Sequence, residues 1–296
     1  MIKLENISFS YKNKPVLKDI TEDFHAGEIV GLVAPNGTGK STLLNVLMNY
    51  ETPQKGQLII DKKGTYKSAR KQIKLYKKIS MMPDQQDLYN HKTGLEHLMM
   101  YKKIWKSKIP VKELINELNM AHYINDLVGN YSLGMRQRLC FAMQIAADTK
   151  IMLMDEVMNG LDPTNVTLIS TIMAKKRDEG KLIIIASHLL DNLEQYADRI
   201  FFLSNGQLEL FFDRKIGTKD QTRYLKINEA DCRFLSEDII ERGQLLAEGL
   251  FLLPLDNGDE KELFLNLPLE KMSSVTVSRL SLKEAYDIKF GLNKKD

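Results

Sequence analysis

The chain has 296 residues, 43% of them hydrophobic and 27% charged, and its 42 basic and 39 acidic side chains leave a net charge of +3. Such a balance belongs to a folded chain with room for about two domains, and it excludes disorder as the general state. The longest apolar runs, Leu182–Ala186 and Leu250–Leu255, fall far below the ~20 residues of a membrane-crossing helix.

In chain order, Ile2–Phe9 reads as a strand, and the opening Met1-Ile-Lys-Leu-Glu-Asn6 carries charge where a secretory signal is apolar. A cytosolic location is expected. Glu28–Val33 is a short buried strand ending in a Gly-rich turn, and Ser41–Asn49 follows as a helix with an apolar stripe at Leu43, Leu44 and Leu47. From Lys62 to Lys78 there are eight basic and no acidic residues, with Tyr66 and Tyr76 interleaved; Lys102–Lys112 is a second lysine-rich stretch. A solvated face beside an acidic ligand or an anionic membrane is the favoured reading over nucleic-acid binding. Pro83–Ala147 is mainly helical, with Pro110 opening one helix, and has the character of an inserted lobe. Trp105 and the Met99-Met100 pair in it read as core or partner-interface residues.

Ile151–Met154 and Leu182–Ala186 are near-continuous apolar runs suited to the middle of a parallel sheet, with a helical stretch Thr164–Lys176 between them. Asn205-Gly206 between apolar runs signals a hairpin. Beyond about residue 215 the pattern changes to strand-like segments Arg223–Ile227, Gly249–Leu255, Glu262–Leu267 and Ser274–Val277 around a helical stretch Asp231–Glu241, a small α+β appendage. Cys140 and Cys232 have no metal-ligand spacing and read as buried thiols in a reducing compartment.

Ala34-Pro-Asn-Gly-Thr-Gly-Lys-Ser-Thr42 carries the chemistry. It fits the phosphate-binding loop pattern except that Ala34 replaces the first Gly, a change expected to be tolerated. Gly37 and Gly39 let the backbone from Asn36 through Thr38 curl its N–H groups inward, and the following helix adds its positive end. Lys40 reaches the β and γ phosphates, Ser41 is a Mg²⁺ ligand, and Thr42 is placed for the α phosphate. The partner carboxylates end the run Ile151-Met-Leu-Met-Asp-Glu156: Asp155 for the metal and Glu156 to polarise the attacking water.

Further motifs follow in a telling order. Tyr131-Ser-Leu-Gly-Met-Arg-Gln-Arg138, Asn159-Gly-Leu-Asp-Pro163, Ser187-His188 and Tyr11 in Phe9-Ser-Tyr-Lys12 resemble the signature, D-loop, switch-histidine and adenine-stacking elements of the ATP-binding-cassette (ABC) ATPases. The resemblance covers residues 1 to about 215. It implies an α/β fold: a P-loop NTPase core of the ABC type over 1–215 with a β-subdomain and an inserted helical subdomain at about 84–147, then a C-terminal accessory domain over 216–296. It implies ATP and Mg²⁺ as cofactors and a head-to-tail dimer, homo- or heteromeric, in which Ser132 and the Gly134 N–H reach the γ phosphate across the interface. His188 then orients the water and Asp162 communicates between sites. Where the family has glutamine after proline, the run here is Met82-Pro-Asp-Gln-Gln86, so Asp84 and Gln85 both stand as metal or water contacts. Leu133 and Met135 replace the commoner Gly and Gln, and Val157 and Met158 a frequent Pro-Thr.

The signature and the element Ser281-Leu-Lys-Glu-Ala-Tyr286 resemble the bacitracin-resistance type of exporter subunit. This implies an ATPase at the inner face of the cell membrane that powers export of peptide, drug or lipid-like cargo through a separate permease. The permease would dock along Asp84–Leu98, with Leu88 and Tyr89 as contacts. The alternative is a soluble ABC ATPase acting on ribosome or nucleic acid. Only the basic patch supports it, and nucleic acid is not the expected partner.

Overall fold

The computed structural model describes residues 1–61, 68–188, 190, 193–218, 220–255 and 275–291. The chain divides into two units, 1–210 and 211–296.

The first unit begins with a three-stranded antiparallel sheet in the order β2-β1-β4, formed by β1 (Ile2–Tyr11), β2 (Lys14–Phe24) and β4 (Lys55–Ile60), with Ile2 opposite both Phe24 and Ile60. All six residues of β3 (Glu28–Val33) are buried, as a strand covered on both faces requires. β3 lies between β7 (Leu182–Ser187) and β8 (Arg199–Ser204), and β6 (Ile151–Asp155) and β5 (Ile79–Met81) continue beyond β7; all these pairings are parallel. β8 turns into β9 (Gln207–Asp213) through Asn205 and Gly206, both at positive φ (52° and 83°). Such a turn matches strand twist.

Helix α1 (Lys40–Leu47) packs under β6 and β7. The two sheets and α1 share one core that includes Phe24, Leu43, Leu44, Leu47, Leu153 and Phe201. Arg199 on β8 joins the sheets: its guanidinium donates to Glu28 and to Glu22 at 2.8 Å each and lies over the Phe24 and Phe201 rings.

The helical lobe holds α3 (Gly94–Trp105), α4 (Val111–Glu117) and α5 (Leu133–Ala147), while α2 (Ala69–Tyr76) precedes β5. α3 opens on a Thr93–Glu96 capping box. Trp105 donates from Nε1 to the Tyr76 carbonyl at 3.0 Å, tying α3 to the end of α2. On α5, Gln144 is fully buried and its Nε2 donates to the carbonyls of Ser80 at 3.1 Å and Leu153 at 3.4 Å, so the second half of the helix is laced to β5 and β6. α6 (Pro163–Asp178) starts with Asp162 as its cap and packs against β3 and β7. Lys62, Lys63 and Lys67 of the basic stretch lie outside the described residues. Lys71 and Lys74 lie on α2.

The second unit carries an antiparallel sheet in the order β11-β12-β10-β13, from β10 (Arg223–Asn228), β11 (Gln244–Leu245), β12 (Leu250–Leu255) and β13 (Thr276–Ser278). The helix expected over Asp231–Glu241 is two pieces, a 3₁₀ stretch Glu229–Phe234 and the helix Glu237–Arg242, because Leu235 and Ser236 are extended. The strand expected at Glu262–Leu267 lies outside the described residues. Leu225, Ile227, Ile239, Phe251 and Leu253 form this unit's core. Ser281 caps the helix Leu282–Phe290 in a box with Glu284, which also accepts from buried Lys226 at 2.6 Å. Of the two cysteines, Cys140 is buried, and burial pushes its thiol up to about 12. Cys232, expected to be buried, is only partly so: it packs at the edge of the second unit's core, next to buried Asp231.

Candidate functional site

The buried strand β3 delivers the chain to the loop 34–39, and α1 carries it away. Gly39 has φ 114°, and a Cβ there would meet Val16 Cγ1 at 2.7 Å; Gly37 has φ 79° with open space around it. Both positions exclude an L side chain, the first by contact and conformation, the second by conformation alone. Among the described residues no side chain caps α1, and its first turn holds no acid. Its first N–H groups therefore face the loop's concavity, the arrangement that favours an anion.

A hollow of about 240 Å³ is lined by Asn36, Gly37, Gly39, Lys40, Ser41, Thr42, Asp155 and Glu156. Lys40 Nζ donates to the carbonyls of Ala34 at 2.6 Å and Pro35 at 3.2 Å. Burial lowers its pKa, opposed by the carboxylates of Glu156 and Asp155. Ser41 Oγ donates to Asp155 Oδ2 at 2.7 Å. Burial raises the Asp155 pKa against that hydrogen bond, with Glu156 and Asp84 adding to the rise and Lys40 opposing it. Thr38 turns away from the hollow and donates its hydroxyl to Pro35 O at 2.8 Å.

Glu156 follows β6 in the left-handed region, at φ 51°. Its N–H donates to Ala186 O at 2.9 Å, and its Oε1 lies 2.8 Å from His188 Nδ1. The ends of β6 and β7 thus bring Glu156 and His188 together beside the loop. Ser132 and Gly134 open α5 instead: Ser132 Oγ accepts from Met135 N at 3.3 Å and caps the helix. Asp162 caps α6 and accepts from Asn165 N at 3.0 Å, a bond that holds its carboxyl below the usual range. Tyr11 is 44% exposed and packs edge-on against Phe9 at 4.8 Å. None of these four residues lines the hollow.

Asp84 and Gln85 line a neighbouring groove of about 880 Å³ that also touches Asp155 and Glu156. Asp84 is engaged as the cap of the 3₁₀ turn Gln85–Asp87, and Gln85 Nε2 donates to Gln137 Oε1 at 2.5 Å. Gln137 lies within the motif Tyr131–Arg138, but between Arg136 and Arg138 its burial and its partners have no periodic signal in the sequence. Tyr89 and Ile104 line the groove and are 48% and 59% exposed, whereas Leu88 is 6% exposed and packs inward, so the expected Leu88 contact is corrected.

An ABC transporter family model matches residues 17–159. An uncharacterized ABC transporter ATP-binding protein of Bacillus subtilis, YhcH, is 31% identical over 211 residues, covering 70% of this chain and 68% of that protein. The chain belongs to the ABC transporter ATP-binding proteins. The lantibiotic transport ATP-binding protein SrtF of Streptococcus pyogenes is 28% identical to the cassette, covering 71% of this chain and 90% of that protein. A solved dimeric structure of a bacterial ABC transporter cassette superposes with a TM-score of 0.61 at 26% identity, covering 71% of this chain and 97% of that one. The cassette is an ATPase of α/β P-loop architecture.

Mg²⁺ suits the donors present. Ser41 and Asp155 present one hydroxyl and one carboxylate, hard oxygens of the kind that would hold Mg²⁺ directly or through water. Among the described residues no cluster of three or more His, Cys, Asp or Glu forms a cage that would hold a metal by itself.

Burial holds the Asp155 carboxyl above its unfolded-state pKa, so the folded cassette binds this proton more tightly and loses stability as pH rises through that raised value. Asp155→Asn removes the cost. Without nucleotide it is expected to melt higher at neutral pH, by about 2–4 °C per kcal/mol relieved. Mg²⁺-dependent hydrolysis is expected to fall about 10- to 100-fold. Calorimetry and a phosphate-release assay check the two halves.

Proposed function

We propose that the cassette is the ATP-hydrolysing subunit of an exporter for peptide, drug or lipid-like cargo, and that it drives a membrane-spanning permease on another polypeptide. The observation that carries hydrolysis is the meeting of Ser41 and Asp155 beneath the uncapped start of α1, beside the Glu156–His188 pair, and the similarity to the lantibiotic transport protein SrtF supports export of peptide-like cargo. Asn36, Gly37, Thr38, Gly39 and Thr42 cradle the phosphates through backbone N–H groups, Lys40 neutralises them, and Tyr11 stacks on the adenine. Bound Mg²⁺, held by Ser41 and Asp155, supplies charge neutralisation. Glu156 orients a water whose oxygen bonds to the γ phosphorus as the bond to the ADP oxygen breaks; the water's proton leaves with phosphate. His188 holds the Glu156 carboxylate and turns to the γ phosphate. Asp84, at the groove, stands on the metal side, and Gln85 beside it spends its amide on Gln137 and takes the water side.

Ser132 and Gly134 lie outside the hollow they are expected to serve, which supports a head-to-tail pair in which each signature completes the other copy's site. Asp162 then sits where the two sites face each other. The groove's exposed Tyr89 and Ile104 suit a short permease helix. Among the described residues no helix is long and apolar enough to cross a membrane. A cytoplasmic position, peripheral at the inner membrane face, follows from the permease partner.

Affinity-purified cassette from native membranes is expected to bring down a membrane-spanning polypeptide, and salt-sensitive capture of nucleic acid in its place would reject the reading. Tyr89→Ala is expected to lower transport about tenfold or more, as for an aromatic interface anchor, with ATP turnover of the isolated cassette retained. Transport at the unaltered rate in reconstituted vesicles contradicts the groove assignment.

A further inference from the structure

Gln137, on the inward face of α5, is 4% exposed. Its Oε1 accepts from Gln85 Nε2 at 2.5 Å, and its Nε2 donates to the carbonyls of Glu156 at 3.0 Å and Val157 at 2.9 Å. Both amide hydrogens are thereby spent on the two peptide units that follow the water-activating carboxylate. One side chain connects the turn at the groove, the signature helix and the backbone of Glu156.

That backbone needs holding. Glu156 is a non-glycine residue at φ 51°, a conformation that costs about 1–2 kcal/mol and persists only where its surroundings impose it. Two hydrogen bonds restrain it: the N–H donates to Ala186 O at 2.9 Å, and the C=O accepts from Gln137 Nε2 at 3.0 Å. Fixed at both ends, the residue aims its carboxylate at His188 Nδ1, 2.8 Å away. We propose that Gln137 is a positioning residue for hydrolysis, which sets the aim of Glu156 and, through Gln85, makes that aim depend on the turn Gln85–Asp87.

Only a carboxamide meets both demands, because it donates twice to carbonyls and accepts once from Gln85. Leucine matches its bulk without any of the three bonds. Glutamate keeps an acceptor but sets a charge against two carbonyl oxygens. The inference rests on Glu156 as the group that activates water, and the test separates the two.

Full-length wild type, Gln137→Leu, Glu156→Gln and the double variant are compared for kcat and KM in ATP hydrolysis, binding of a fluorescent nucleotide analogue, circular dichroism and melting temperature. Gln137→Leu is expected to lower kcat about 10- to 100-fold, the scale for loss of a supporting hydrogen bond or ~1 Å of misplacement. KM and nucleotide affinity are expected to stay within about threefold of wild type. The double variant is expected to be no slower than Glu156→Gln, since both changes act through one carboxylate. Gln137→Leu with wild-type kcat, or with a loss that only tracks the unfolded fraction, overturns the proposal, as does an additive double variant. Full activity in Glu156→Gln sinks the underlying reading and the proposal with it. Should Gln137→Leu not fold, Gln85→Leu breaks only the outer bond at a half-buried site. It is expected to lower kcat about 3- to 10-fold, at the weak end of that scale, with unchanged half-saturating Mg²⁺; an unchanged kcat, or a raised Mg²⁺ requirement, overturns the link through Gln85.

Discussion

Glu156→Gln is expected to stop hydrolysis while nucleotide still binds. The substitution keeps the side chain's size and removes the charge that attracts a water proton. Glu156 faces His188 at 2.8 Å, and the amide can retain that contact, so the loss falls on the chemical step. Removal of a general base costs about 10²- to 10⁴-fold. Phosphate release measures the loss, and titration with a fluorescent nucleotide analogue shows the retained binding. Equal turnover by the variant removes Glu156 from the mechanism.

Lys40→Ala has the complementary outcome: binding itself fails. The ammonium is buried at 5% exposure and reaches two loop carbonyls, Ala34 O and Pro35 O. Its removal deletes the one buried cation that lines the hollow among the described residues and takes a charged donor from both carbonyls, leaving Pro35 O with the Thr38 hydroxyl. Truncating one partner of a buried charged pair costs about 2–5 kcal/mol, roughly 30- to several-thousand-fold in affinity. The same titration reads the change, and nucleotide is expected to lose its power to raise the melting temperature. Affinity within threefold of wild type would place the phosphates elsewhere.

The path from strand to loop to helix was legible because each part has its own local cause. Glu28–Val33 is apolar enough to be buried on both faces, and Gly37 and Gly39 stand where φ is positive. β2 carries no clear strand period. Its burial alternates poorly, and it carries Lys18, Asp19, Glu22 and Asp23. Its pairing with β1 slips between Leu4 and Ile7, between Ile7 and Phe9 and between Phe9 and Ser10, so a period of two does not survive along β2. Leu88 and Tyr89 are neighbours in sequence, yet one is buried and the other exposed, because the turn Gln85–Asp87 ends there and sets their directions. Gln137 was illegible for a different reason. Its partners stand 52 residues before it and 19 to 20 after it, and only the fold makes them neighbours.

The lacing of Gln144 to the middles of β5 and β6 makes α5 a lever whose fulcrum is near that residue. At about 1.5 Å per residue, Ser132 rides some 18 Å out on the arm and Gln137 about 10 Å out. A swing of about 10° displaces the tip by ~3 Å and Gln137 by ~2 Å. The first is the reach of one hydrogen bond, and the second exceeds what the bonds to Glu156 and Val157 tolerate. On such a lever Ser132 and Gln137 share one rigid arm, so the geometry at the helix start and the bonds from Gln137 to the backbone after Glu156 change together or not at all.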